Sequence, residues 1–353
     1  TDMRRAAWVS VDQFSSAFLT ALPSQGNRFG NVGFREVFAT YFGLPSPACA
    51  AHVGKDIVYK GKVVTTLDQY GEKLLSETAI MNANAGRMTW HDQVEHSLSR
   101  IMSESRIQHE VQPMGEFASF LPLRVQAELL RTYNRHSRRR GIIPDFKIYN
   151  PGGATLGDVK TCSCSNTTYN RAILRDCTQR AEAVKKRAVA VDKDYRRRAR
   201  ELDASYNNVS MAQSESGPPG PILRKLNEYG TVQGLIFGAF GEVSPAVAAL
   251  AKLCAQGLAD RYWQSFLAEG PDDIKSAMAS SVRRSWSITH IREKARLKIT
   301  RLEKFVLLRG TGLHGACSSA HREHAYRKRR ADYESYIGMG SPYVSRAGYM
   351  GRV

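Results

Sequence analysis

The sequence predicts an α/β protein, and three observations lead to that fold class. First, "GRMTWHDQVEHSLSRIMSES" places Val94, Leu98 and Ile101 on one helical face. Second, "RIQHEVQP", "GIIPDFKIY" and "ATLGDVKTCS" are short apolar stretches typical of strands, and "NPGG" predicts a turn between the last two. Third, a helix predicted from about Thr167 to Leu202 precedes "TVQGLIFGAFGEV", which is apolar and bounded by glycines like an interior strand. The predicted order is helix, strand, strand, strand, helix, strand.

Further helices are predicted on both sides of this core. Before it, "VDQFSSAFLTALP" and "NVGFREVFATYFGLPSP" are short helical patterns separated by breakers. After it, Pro245 opens one helix and a second runs from about Asp272 to Leu308. The predicted division is a helical N-terminal domain at 1–85, the core with a basic insertion and a flexible linker (210–221) at 86–245, a helical C-terminal region at 246–335 and a tail at 336–353.

The chain is strongly basic. Its 353 residues include 51 lysines and arginines against 33 acids, a net charge of +18 that is concentrated in runs such as "NRHSRRRG" and "HAYRKRRADY". Such runs repel one another unless they are solvated, screened or laid along phosphates, so they favour a polyanionic partner over a merely soluble basic surface. No stretch is as apolar as a membrane span, and six cysteines are too sparse for a disulfide framework. We therefore expect a soluble intracellular protein with reduced cysteines.

Two acids and a lysine interrupt the second and third predicted strands. Asp145 and Asp158 at the ends of neighbouring strands could share one hard divalent cation, Mg²⁺ or Mn²⁺. Because side chains alternate along a strand, Lys160 shares a face with Asp158, while Val159 points into the core and offers its carbonyl oxygen. A cation there would polarise a phosphodiester, and the ammonium could orient the attacking water. The structural alternative makes Asp145 a strand-entry turn residue and Lys160 a solvent-facing edge residue.

These residues resemble the PD-(D/E)-x-K nuclease superfamily, which has the fold of restriction endonucleases. The "PD" is Pro144 and Asp145, and the "D-x-K" is 158–160. The resemblance implies a restriction-endonuclease-like core from about Met88 to Val243, with helical additions at both ends. It also implies metal ligation by the two aspartates and the Val159 carbonyl.

In that family the first helix often supplies a further acid. The resemblance makes Glu95 the candidate here, with His91 one turn before it on the same side and Glu110 as a second possibility. The implied activity is metal-dependent endonuclease cleavage, with DNA favoured over RNA as the substrate. The implied location is inside the cell, in the nucleus or at another site that contains nucleic acid. The alternative is a noncatalytic nucleic-acid-binding protein on the same fold, as a component of a retroelement or ribonucleoprotein.

A broader pattern of short motifs points to mobile elements. "LTALP", "FGLPSPAC", "WHDQVEHSL", "PDF", "GDVKT" and "LIFGAFGEVSPAV" together look like the region downstream of the reverse transcriptase in some retrotransposon-type reading frames. That resemblance implies the nuclease-like tail of a mobile-element polyprotein.

Basic residues near the motif are the predicted nucleic-acid contacts. Three arginines immediately precede the second predicted strand: Arg138, Arg139 and Arg140. We expect them to contact the phosphates near the cleavage point. The predicted helix after the third strand adds Lys185, Lys186, Arg196 and Arg197.

A second constellation competes for a metal. His314, Cys317, His321 and His324 lie within eleven residues, and histidine and cysteine are both zinc ligands. Because the spacing matches no familiar zinc motif, a polar stretch near a basic helix is the favoured interpretation.

Overall fold

The computed structural model describes residues 13–21, 29–82, 87–113, 115–131, 141–164, 178–207, 209 and 218–308. That part of the chain is mixed α/β, with mostly helices and two small sheets, which confirms the predicted class. Its helices are α1 (Asn31–Tyr41), α2 (Lys73–Ser76), α3 (Thr78–Asn82), α4 (Arg87–Glu104), α5 (Leu123–Arg131), α6 (Thr178–Tyr206), α7 (Pro221–Glu228), α8 (Pro245–Tyr262) and α9 (Pro271–Leu302). Its strands are β1 (Asp56–Tyr59), β2 (Lys62–Thr66), β3 (His109–Val111), β4 (Phe146–Asn150), β5 (Gly153–Thr161) and β6 (Gln233–Phe237).

The larger sheet has the strand order β3-β4-β5-β6. β4 is antiparallel to both neighbours, and β6 is parallel to β5. Asn150 pairs with Gly153 across the turn that "NPGG" predicts. The parallel pair needs a long crossover connection, and α6 and α7 lie within it. The elements follow in the predicted order, with α5 inserted before β4 and α7 before β6.

Helices cover both faces of this sheet. Because side chains alternate along each strand, Phe146 and Val159 enter one apolar cluster with residues of α4, α8 and α9. Leu156 and Ile236 enter a second cluster with residues of α6 and α7. The end of the sheet where β4 begins therefore lies between α4 and α6, which can each bring side chains to it.

The N-terminal segment is not wholly helical, and this corrects the sequence prediction. β1 and β2 form an antiparallel hairpin whose two-residue turn is Lys60 and Gly61. Both residues have positive φ, 51° and 74°, as a hairpin turn that follows the strand twist requires. Lysine is a rare first residue in such a turn, so the usual Asn-Gly signal is missing from the sequence. Ile57 of the hairpin joins one apolar cluster with Phe305, beyond the end of α9, and the Tyr59 ring packs edge-on against the Phe305 ring.

The C-terminal helices begin where the sequence predicts. α8 starts at Pro245, and α9 starts at Pro271, one residue before the predicted start. A π-helical turn, Glu303–Leu307, continues α9 to the predicted end. The start of the helix predicted from Thr167, most of the linker at 210–221, and the tail at 336–353 lie outside the described residues.

Candidate metal centre

Asp145 completes the end of the sheet with its side chain. The β4–β5 ladder stops at the pair Phe146 and Gly157, and Pro144, two residues before Phe146, has no N–H with which to extend it. The N–H of Val159 is satisfied instead by Asp145 Oδ2, at 2.7 Å. The Asp145 side chain is fully buried. This carboxylate therefore has a structural role, whatever else it does.

His91, on α4, satisfies the other backbone group of Val159. Its Nε2 lies 3.0 Å from the Val159 carbonyl oxygen and 3.2 Å from Asp145 Oδ2. Its Nδ1 lies 3.3 Å from Asp92 Oδ1 and 3.6 Å from Glu95 Oε2. Both ring nitrogens thus face acceptors, an arrangement that suits the doubly protonated ring. Burial opposes that charge, but hydrogen bonds to Asp145 and Asp92 and the nearby carboxylate charges outweigh it and raise the pKa of His91 to about 10.

Glu95 and Gln112 complete this group from the α4 side. Glu95 is buried one helical turn after His91. The Gln112 amide donates to Glu95 Oε2 at 3.2 Å, and its backbone N–H donates to the Asp145 carbonyl at 2.8 Å. Gln112 has a φ of 50°, so its backbone is strained where it joins the two acidic segments.

Asp158 and Lys160 form a second group on the α6 side. As the strand alternation predicts, their side chains share a face, and the Lys160 ammonium pairs with Asp158 Oδ2. Tyr195 of α6 donates to Asp158 Oδ1 at 2.9 Å. Burial raises the pKa of Asp158; the Lys160 charge opposes this, and the Asp145 charge adds to it. The Lys160 side chain is 32% exposed, so the group is reached from solvent.

The predicted site residues come together at one end of the sheet, but in two hydrogen-bonded groups. We call them the α4 group (His91, Glu95, Gln112, Asp145 and the Val159 carbonyl) and the α6 group (Asp158, Lys160 and Tyr195). The charge of Asp145 acts on Asp158, so the groups are electrostatic neighbours. Glu110, the other candidate acid, is exposed on β3 and accepts the Tyr149 hydroxyl instead.

The α4 group, together with the adjacent Asp92, has the composition of a metal site. One ligand atom each from His91, Asp92 and Glu95 lies within 4.8 Å of the others, so these three residues could hold a metal ion. Two buried carboxylates and a carbonyl are oxygen ligands of the kind that Mg²⁺ and Mn²⁺ take. An imidazole nitrogen in the same set suits Mn²⁺ and other transition metals better than Mg²⁺.

The chain matches no protein-family model, no curated protein and no solved structure. The candidate site therefore rests on the geometry of this chain alone. Among the described residues, no helix is long and apolar enough to cross a membrane.

The basic residues predicted on α6 differ in their surroundings. Lys185 and Lys186 are exposed, and Arg197 is exposed while pairing with Glu201 on its own helix. Arg196 is partly exposed, and its guanidinium donates hydrogen bonds to three groups of the fold: Asp192 Oδ2 (2.7 Å), Asn227 Oδ1 (2.5 Å) and the Gly230 carbonyl (2.8 Å). These bonds tie α6 to the turn that precedes β6.

Two other sets of predicted residues lie outside the described part of the chain. They are the predicted phosphate contacts Arg138, Arg139 and Arg140, and the candidate zinc ligands His314, Cys317, His321 and His324.

Proposed function

We propose that the chain is a metal-dependent nuclease of the PD-(D/E)-x-K type, which cleaves phosphodiester bonds of DNA or RNA with Mg²⁺ or Mn²⁺. The observation that carries the proposal is that Asp145, the Val159 carbonyl and Glu95 all face the His91 ring, the first two at Nε2 and Glu95 at Nδ1. The order of α4, β3, β4, β5, α6 and β6 supports it, because it is the order that the resemblance implies. The short-motif resemblance further suggests a mobile-element protein.

The proposal gives each group a separate part in the chemistry. Asp145, Glu95, Asp158 and the Val159 carbonyl would hold the cation, and a neutral His91 would add a nitrogen ligand. A bound cation lowers the pKa of a coordinated water and polarises the phosphate. Lys160, partly exposed beside Asp158, brings a positively charged donor to the attacking water or a phosphate oxygen.

A second candidate function is nucleic-acid binding without cleavage. The observation that favours it is that each aspartate already has partners within the protein. Asp145 accepts the Val159 N–H and contacts His91, and Asp158 pairs with Lys160 and accepts the Tyr195 hydroxyl. An imidazolium and an ammonium then balance buried carboxylates that a metal would otherwise neutralise.

Cleavage of labelled single- and double-stranded DNA and RNA with Mg²⁺, Mn²⁺ or EDTA separates the two functions. We expect metal-dependent cutting that falls on the order of 100-fold or more in Asp145→Asn and in Lys160→Gln. Glu110→Gln is the matched control, because that acid lies exposed on the neighbouring strand, and it should cut within about twofold of wild type.

Two results would count against the nuclease. Cutting that survives EDTA or Asp145→Asn would place the chemistry elsewhere. Salt-sensitive binding of nucleic acid with no cutting of any of the four substrates would establish the second candidate.

A further inference from the structure

Tyr195 links the two acid-bearing segments from across the fold. Its hydroxyl lies 2.9 Å from Asp158 Oδ1 on β5 and 3.3 Å from the carbonyl oxygen of Ile143, two residues before Asp145. Its ring is half-buried against the apolar cluster under α6. The residue therefore touches both sequence segments of the "PD" and "D-x-K" motif, although it belongs to neither.

The hydroxyl has two acceptors and only one proton to donate. A hydrogen bond to an ionised carboxylate is stronger than one to a neutral carbonyl, so the proton belongs to Asp158 while that acid is charged. The shorter of the two distances agrees with this choice.

Tyr195 is also the more rigid of the two side-chain partners that hold Asp158. Lys160 contacts Oδ2 from a flexible, partly exposed stem, which fixes the charge but not the plane of the carboxylate. A tyrosine ring has two rotatable bonds, and this one is held by packing. The orientation of Oδ1 is thus set from α6.

We propose that Tyr195 is a positioning residue that orients the Asp158 carboxylate for the cation. The proposal rests on the proposed function, since its readout is a bound metal. In metal sites, partners that orient a ligand typically contribute 10- to 100-fold to affinity. Removal of the hydroxyl should therefore weaken metal binding without unfolding the protein.

The test is Mn²⁺ binding to the full chain by electron paramagnetic resonance, titrated from micromolar to tens of millimolar. We expect Tyr195→Phe to raise the Kd for Mn²⁺ about tenfold. Its melting temperature and its affinity for nucleic acid in EDTA should stay near those of wild type. Tyr206→Phe is the control, because Tyr206 packs against the same cluster further along α6.

A double-mutant cycle with Asp158→Asn then asks whether the hydroxyl acts through that acid. In the Asp158→Asn background, Tyr195→Phe should change the Kd by less than about twofold. An equal effect in both backgrounds would overturn the positioning role, as would an unchanged Kd in Tyr195→Phe alone. Wild-type protein that binds no Mn²⁺ would overturn this role and the proposed nuclease together, whereas Mn²⁺ binding that Tyr195→Phe leaves unchanged would overturn this role alone.

Discussion

At the scale of single residues, two buried histidines show how neighbours decide a protonation state. Acids surround His91, and they raise its pKa to about 10 against the effect of burial. Burial dominates at His290 on α9 and lowers the pKa of that ring to about 3. The His290 ring lies between Trp90 and Phe237, and its Nε2 donates to the Gly238 carbonyl at 2.8 Å. The positive charge of Lys294 adds to the effect of burial, and the hydrogen bond to Gly238 only partly opposes the two.

His290 predicts a loss of stability in acid. An unfolded histidine takes a proton as the pH falls through about 6.5, but the folded ring takes one only near 3. Between these values the unfolded chain binds more protons, so the free energy of unfolding falls as the pH falls, by up to about 1.4 kcal/mol per pH unit. Urea unfolding of wild type and of His290→Gln from pH 7 to pH 4 measures this change in the free energy of unfolding.

The glutamine amide can still donate to the Gly238 carbonyl but does not titrate in this range. The variant should therefore lose less stability than wild type between pH 6.5 and pH 4, although the carboxylates of both proteins respond equally. Parallel stability curves for the two proteins would contradict the assignment.

The motif acids could be predicted from sequence because they lie on strands with a simple period. Alternation alone places Asp158 and Lys160 on one face and the Val159 side chain in the core. His91 could be noted only as a neighbour of Glu95, since its partners lie 54 and 68 positions away in the chain. Tyr195 could be noted only as a tyrosine among the basic runs, which could stack on unpaired bases or, more often, pack at the edge of a core. Its bond to Asp158 has no local signal in the sequence. The distant contacts depend on how α4 and α6 cross the sheet, which no local pattern encodes.

At the scale of elements, α9 carries a buried polar stripe. His290, Lys294, Lys298 and Arg301 follow one another at helical spacing, and all are nearly fully buried. Lys294 donates to the Ala239 carbonyl and Arg301 to the Leu74 carbonyl, so the stripe ties α9 to the loop after β6 and to the N-terminal segment. No local sequence pattern predicts this stripe, because the partners of these charges are far away in sequence.

The buried pair of Lys298 and Glu36 tests how this stripe stabilises the fold. The two charges are 3.3 Å apart and nearly inaccessible, and Glu36 also accepts the Ser46 hydroxyl and the Ala48 N–H. Because either single change leaves an unpaired buried group, Lys298→Met or Glu36→Gln should each cost about 3 kcal/mol. The double variant should cost clearly less than the sum, as measured by urea unfolding.

The surface pair of Lys185 and Glu182 is the control for that cycle. Both side chains are more than half exposed at 3.3 Å, so Glu182→Gln should cost less than about 1 kcal/mol. Strictly additive losses at Glu36 and Lys298 would mean that the two charges do not stabilise one another.

At the scale of the whole molecule, the cations behind the net charge of +18 are not all exposed on the surface. Lys298 and Arg301 on α9 are buried, and Arg196 on α6 is partly exposed with its guanidinium bonded to neighbouring groups of the fold. Composition cannot distinguish these from exposed cations, because both lie in runs of similar sequence. Lys185 and Lys186 are exposed on α6, the helix that also carries Tyr195, and under the proposed function they are candidates for phosphate contacts.

This distinction predicts which basic residues carry salt-dependent binding. For duplex DNA, each phosphate contact contributes about 0.9 to the slope of log affinity against log salt concentration. If Lys185 and Lys186 each contact one phosphate, replacing both with glutamine should reduce the slope by about 1.8. Arg196→Gln should leave the slope unchanged and lower the stability instead, since its guanidinium is bonded to Asp192, Asn227 and Gly230.

Fluorescence anisotropy between 50 and 300 mM salt, roughly the range over which such contacts are lost, measures each slope. An unchanged slope in the double lysine variant would remove this face of α6 from the nucleic-acid interface, whereas a reduced slope in Arg196→Gln would mean that its guanidinium leaves the fold to bind a phosphate.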